Sequence, residues 1–296
     1  MRQHSVATPL LDIGYLEAGP ADGRVAILMH GFPYDALACV EAGEMLAADG
    51  WRVLIPWMRG YGPTRFRSDE TMRSGEQGAF GADLLAFMDA LAVEKAVLAG
   101  YDWGGRGACA VAALWPARVS GLVSIGGYNL FDPVQLRTPA PPENEVRLWY
   151  CFYFHSERGR QGLTQNRREV IRYLWQTWSP SWRFDDATFE RSADAFDNPD
   201  FVEVVIHSYR HRFELARGDP AYAELESRLT RLPPIGVPAF LLQGSDDGVD
   251  PRRTIDGSRF TRLVGTALVP GGHNLIQENP RAVVDAIKAL ARDPSA

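Results

Sequence analysis

The stretch with the clearest chemical potential is Gly100-Tyr101-Asp102-Trp103-Gly104-Gly105. An apolar run, Ala96-Val97-Leu98-Ala99, precedes it and reads as a buried parallel strand. A small-residue run over 107–114 follows and reads as a helix lying close on a sheet. Small residues stand two before, two after and three after Asp102. That pattern predicts a tight strand-turn-helix elbow, which lifts one side chain clear of the sheet's carboxyl edge. Glycine lets the backbone make such a turn and approach its neighbours closely. The lifted group here is a carboxylate, not a hydroxyl or a thiol. It is ionised near neutral pH, so it needs no base to activate it. It can attack an electrophilic sp3 carbon and form an alkyl ester with the enzyme, which a histidine-activated water then hydrolyses. An ordinary esterase mechanism calls for Ser at position 102 and is disfavoured. The plain alternative is an Asx-turn residue.

Two further groups suit that scheme. After Leu242 the chain reads Gln243-Gly244-Ser245-Asp246-Asp247-Gly248, an acid just past a strand end. The pattern Gly-x-x-Asp-Gly favours Asp247, with Asp246 as the competitor. After Val269 it reads Pro270-Gly271-Gly272-His273-Asn274. His273 would be the base, or else a loop histidine satisfied by backbone. The order is nucleophile, acid, base. All three would lie at the sheet edge where open α/β folds bind ligands.

The surrounding pattern supplies the strands and helices that must position them. Residues 10–17 read as an edge strand, followed by an unbroken apolar strand at 25–29 and a further strand at 52–56. The strand at 25–29 ends in His30-Gly31-Phe32-Pro33. A helix is expected from about Gly75 to Leu91, strands at 122–125, 239–242 and 267–269, and a last helix near Asn279-Pro280. The strand-helix alternation implies a mostly parallel sheet with right-handed crossovers. It breaks at a proline-rich hinge (Pro133, Pro139, Pro141, Pro142) and resumes after Pro233-Pro234-Ile235-Gly236-Val237-Pro238. The expected division is a core of residues 1–130 and 233–296 with a helical cap over 131–232.

The 296 residues are 46% apolar and 23% charged, an ordinary globular composition. A net charge of −6 argues against nucleic acid as a partner. No apolar run has the roughly 20 residues of a membrane span, and no signal-peptide core follows Met1. Cys39, Cys109 and Cys151 have no metal-type spacing, and a reducing cytoplasm is the simplest location. Neither cofactor nor metal is expected; a homo-oligomer stays open. Arg59 reads as structural, and the pairs Arg167-Arg168 and Arg252-Arg253 as solvated faces.

Over nearly its full length the chain resembles the α/β-hydrolases. Within them it is most similar to the lidded epoxide hydrolases, with the haloalkane dehalogenases nearby. Those families carry His-Gly-x-Pro and His-Asp-Trp-Gly; here stand His30-Gly31-Phe32-Pro33 and Tyr101-Asp102-Trp103-Gly104. Tyr101 replaces the usual His. The resemblance implies an oxyanion hole from the backbone N–H groups of Phe32 and Trp103. Two lid tyrosines would donate to the epoxide oxygen. Their motifs are matched by Tyr150-Cys151-Phe152-Tyr153-Phe154 and His207-Ser208-Tyr209-Arg210, which points to Tyr150 and Tyr209, with Tyr153 as the fallback. Both also sit on apolar helical faces, so plain lid core is the competing reading. The implied substrate is a small epoxide, opened to a vicinal diol. Dehalogenation would use the same Asp102, but a second halide donor beside Trp103 is not evident, with Tyr34 and Asp35 at the expected place. Fluoroacetate dehalogenases carry Arg directly after the Asp and again three residues later, and only Arg106 matches. A catalytically silent ligand-binding protein is the reading from another class.

Overall fold

Short apolar runs bounded by turns become strands, and the small-residue runs become the helices packed against them. The computed structural model describes residues 1–250 and 253–292, so Arg252 of the second arginine pair lies outside the described residues. The strands are β1 (Arg2–Ala7), β2 (Leu11–Ala18), β3 (Val25–Met29), β4 (Arg52–Pro56), β5 (Arg65–Phe66), β6 (Ala96–Tyr101), β7 (Val119–Ile125), β8 (Ala239–Gly244) and β9 (Leu263–Val269). They form one sheet in the order β1-β2-β4-β3-β6-β7-β8-β9, with β5 paired to β2. The pairs from β4 through β9 are parallel, while β1, β2 and β5 add antiparallel ladders.

The first strand expectation is corrected. β2 is not an edge, because β1 covers it. β1 carries polar side chains and lies largely exposed, which blunts the sheet edge and hid it from an apolar-run reading.

The core helices are α1 (Val40–Ala48), α2 (Gln77–Ala90) and α3 (Asp102–Leu114). Helix α3 begins at Asp102 itself, earlier than the small-residue run suggested, because the glycines at 104 and 105 continue the helix instead of delaying it. Its small residues allow close packing. A Cβ on Gly81 of α2 would lie 2.8 Å from the Ala110 Cβ of α3.

Between β7 and β8 the chain makes only helices and turns: α4 (Pro142–Glu145), α5 (Trp149–His155), α6 (Glu157–Gln165), α7 (Arg167–Trp178), α8 (Asp186–Ala193), α9 (Phe201–Arg212) and α10 (Ala223–Leu229). Helices α11 (Leu275–Glu278) and α12 (Pro280–Arg292) follow the last strand, and α12 buries Val283, Val284, Ile287 and Leu290.

The helical insert is fastened to the core by named bonds. Trp175 Nε1–H donates to the Pro33 carbonyl at 2.9 Å, and the Ser192 hydroxyl donates to Asp35 at 2.7 Å. Phe32 is the aromatic hub between the two halves, packed on Trp103, Phe154, Trp178 and Tyr209. Arg167 and Arg168 are not solvated alone: they pair with Asp197, and Arg168 also with Glu190 and Asp194. The three cysteines are free and buried. No helix among the described residues is long and apolar enough to cross a membrane.

Candidate active site

Strands β3 and β6 are parallel neighbours, with Met29 opposite Gly100. The chain leaves β3 for β4 on one side and returns as β6 on the other. Such a reversal opens a crevice at the carboxyl ends of the two strands. The turn after β3 and the elbow after β6 therefore meet.

Asp102 has φ +48°, in the left-handed region. That conformation costs a non-glycine residue about 1–2 kcal/mol, which the surrounding packing must offset. Two glycines make the close approach feasible. A Cβ on Gly104 would collide with the carbonyl oxygens of Met29 and His30, and one on Gly31 would lie 2.6 Å from the Asp102 Cβ. The Phe32 N–H donates to Asp102 Oδ1 at 2.9 Å. Trp103 supplies the next amide of the elbow, at the start of α3. The guanidinium of Arg106, one turn along, reaches Asp102 Oδ2 at 3.5 Å. His30 fixes the turn from beneath: its Nε2 accepts from the Met58 N–H at 3.1 Å, and burial pulls its pKa down to about 4.

His273 stands on the loop after β9, and its Nδ1 lies 3.1 and 3.3 Å from the two carboxylate oxygens of Asp247. Asp247 Oδ1 also accepts from the amides of Val249 and Asp250, at 2.8 and 3.0 Å. Burial pulls His273 down, but the Asp247 charge and hydrogen bond, with Asp102 adding to them, outweigh it and hold the imidazole above its usual pKa. Burial pushes Asp247 up, and His273 with the loop amides outweighs that and leaves it low. With Nδ1 committed, Nε2 is buried without a partner among the described residues. Asp246 is exposed and makes no bond to His273; its amide donates to Gly271. Asp102, Asp247, His273, Arg106, Tyr150 and Arg212 line one cavity of about 440 Å³.

Tyr150 of α5 and Tyr209 of α9 are buried, with ring centroids 5.4 Å apart, edge to face. Tyr209 packs on Phe32 and Trp103, which flank the carboxylate. Burial raises both phenols well above the ordinary value of 10.0, and the Asp102 charge adds to it. Tyr153 points elsewhere: its hydroxyl stands against Gly162 of α6. Arg59 is held by Asp83, Ser74 and Tyr222, away from the cavity. At the departing position, the Tyr101 hydroxyl is buried without a partner among the described residues.

Arg212, which lines the cavity, and three bracing residues were not singled out for the site from sequence. The Trp178 carbonyl accepts from both His273 and Gly248, and the Ser179 hydroxyl accepts from His273. Glu278 accepts from Gly272 and Asn274. The end of α7 thus braces the acid and base loops together. These contacts join segments far apart in the chain, and no local motif marks them. Trp178 Nε1–H and Trp103 Nε1–H are both buried without an acceptor among the described residues.

Known proteins give the same picture of the scaffold. A crystal structure of a Klebsiella pneumoniae protein provisionally named an epoxide hydrolase is 43% identical, with a TM-score of 0.95, over 98% of this chain and 97% of that one. Epoxide hydrolase B of Mycobacterium tuberculosis is 30% identical over 150 residues, 46% of this chain and 41% of that protein. A haloalkane dehalogenase of Mycobacterium marinum is 32% identical over 153 residues, 50% of this chain and 48% of that protein. The chain thus spans less than half the length of these two curated relatives. The family model described as the alpha/beta hydrolase fold matches residues 25–280, a span that runs from the first parallel strand to the start of the last helix, and the chain belongs to that family.

Proposed function

We propose that this protein hydrolyses an epoxide to a vicinal diol through a covalent ester on Asp102, beneath a cap formed by residues 131–232. In the first step an Asp102 oxygen bonds to a ring carbon and the carbon–oxygen bond of the epoxide breaks. The released oxygen takes a proton from Tyr150 or Tyr209, whose raised pKa keeps them protonated until that moment. In the second step His273 Nε2 takes a proton from water as the water oxygen attacks the ester carbonyl. The resulting oxyanion is held by the amides of Phe32 and Trp103. Collapse breaks the ester bond, the proton of the added hydroxyl passes to the leaving oxygen, and the carboxylate and the diol are freed. The proton on His273 restores the tyrosine.

The observation that carries this reading is a carboxylate and a buried phenol lining one cavity together with an imidazole whose Nδ1 is held by a second carboxylate. The epoxide hydrolase names among the relatives support it. The test is a single turnover in 18O-water. Label is expected in Asp102 and absent from the first diol released. Solvent oxygen in that first diol would rule out the ester.

A second reading rests on the two unpartnered indole N–H groups. Trp103 and Trp178 could hold a halide leaving group, and the Trp178 ring lies 4.9 Å from His273. The dehalogenase relative gives it further support. Halide release from chloro- and bromoalkanes separates the two. Saturable binding with no turnover of either class would favour a silent binding protein.

A further inference from the structure

The ester mechanism uses one charge in the cavity, Asp102, and a charge pair, Asp247 with His273. It leaves two arginines unexplained. Arg106 is buried beside the nucleophile, and its guanidinium carbon lies 5.3 Å from the centroid of the Phe131 ring. Arg212, at the last turn of α9, lies 5.1 Å from the centroid of the same ring. Both line the cavity. Among the described residues Arg106 has Asp102 as its one carboxylate partner, at 3.5 Å. Arg212 forms no ion pair among the described residues, and its Nε is buried without a hydrogen-bond partner.

Two guanidiniums converging on one ring repel each other, and Arg212 is among the groups that depress the Arg106 pKa after burial itself. A fold gains little from such an arrangement unless an anion completes it. The internal carboxylates do not fill that role. Of the three carboxylates that line the cavity, Asp247 is bound to His273, Asp250 forms no ion pair with Arg106 or Arg212 among the described residues, and Asp102 loses its charge when it becomes an ester. At that step Arg106 would be left buried with no counter-ion. A carboxylate carried by the substrate would supply one, and two guanidinium forks match its geometry.

We propose that the substrate is a short-chain epoxy acid, whose carboxylate is bound between Arg106 and Arg212 while its epoxide carbon faces Asp102. This rests on the epoxide reading above and narrows it. Arg212, on the cap, is the specificity-determining residue, because Arg106 also touches the nucleophile.

The test compares 3,4-epoxybutanoate, its primary amide and 1,2-epoxybutane as substrates of the intact protein. The acid is expected to exceed the amide in kcat/KM by about 10- to 100-fold, carried by KM, as for a charge-assisted bond pair. Arg212→Met should collapse that ratio to about 3-fold or less, and Arg212→Lys should return part of it. An acid-to-amide ratio at or below one in the wild type, or one unchanged in Arg212→Met, overturns the proposal. A second measurement needs no turnover: calorimetric titration with butanoate and butanamide. Butanoate should bind saturably and weaken at least about tenfold in Arg212→Met. If butanoate binds so but no epoxide is consumed, the subsite stands and the reaction reading falls. If epoxides are consumed with no acid preference and butanoate does not bind, the reaction stands and the subsite falls.

Discussion

The floor and the roof of the cavity are built by different means. The floor groups sit at strand ends and are fixed by backbone. Asp102 is set by the φ of one residue and the Phe32 amide, and Asp247 by two loop amides. The roof groups, Tyr150 and Arg212, and Tyr209, which packs on Tyr150 without itself lining the cavity, come from helices held by ring packing and a few tethers such as Trp175 to Pro33. Backbone-fixed groups suit the covalent step, where small displacements lose rate. Groups on a packed insert suit recognition, where side chains can change without disturbing the sheet. The account therefore predicts that floor changes abolish chemistry, while roof changes redirect or weaken it.

The largest expected effect breaks the floor. Asp102→Ala should lower epoxide turnover by about 10⁴-fold or more, as for other covalent nucleophiles, measured as diol formation. A variant within tenfold of the wild type would remove the distinction between floor and roof.

Next is the roof. Tyr150→Phe with Tyr209→Phe should cost about 10²- to 10⁴-fold in epoxide opening, the usual worth of general acid catalysis. Any halide release from bromoalkanes should fall much less, because a halide leaves without a proton. Equal losses in both assays would make the tyrosines mere packing.

The third effect sharpens the floor. His273 must be neutral to accept a proton, and its pKa is held above 6.5. The diol rate should therefore fall as pH drops through a value above 6.5, and stand more than about tenfold below its maximum by pH 5.5. The phenols lie well above 10.0, so no loss from tyrosine ionisation is expected up to pH 9. Rate against pH checks both limbs, and a flat acid limb would remove His273 as base.

The smallest effect concerns the tether. Trp175→Phe removes the bond to the Pro33 carbonyl while keeping an aromatic ring, and should lower stability by about 1 kcal/mol in denaturant unfolding. No measurable change would mean that ring packing alone seats the insert.

The floor was legible in sequence for the same reason that it is rigid. Strand ends and turns rich in glycine and proline leave local signatures, so positions 30–33, 100–105, 243–248 and 270–274 could be read in order. The parallel strands were legible because unbroken apolar runs have few other fates. β1 was not, since its exposed polar side chains carry no burial signal. The roof was harder. Tyr150 and Tyr153 share a short helix, and only the packing of α6 against α5 sends Tyr153 toward Gly162. The bracing by Trp178, Ser179 and Glu278, and the meeting of Arg106 with Arg212 over Phe131, join segments far apart in the chain. Hydrophobic periodicity carries no information about such meetings.

The most direct test is to stop the reaction halfway. His273→Gln, mixed with a reactive epoxide and measured as intact protein, should gain the mass of one epoxide, and peptide mapping should place it on Asp102. An unmodified protein, or an adduct on any other residue, would contradict the covalent account.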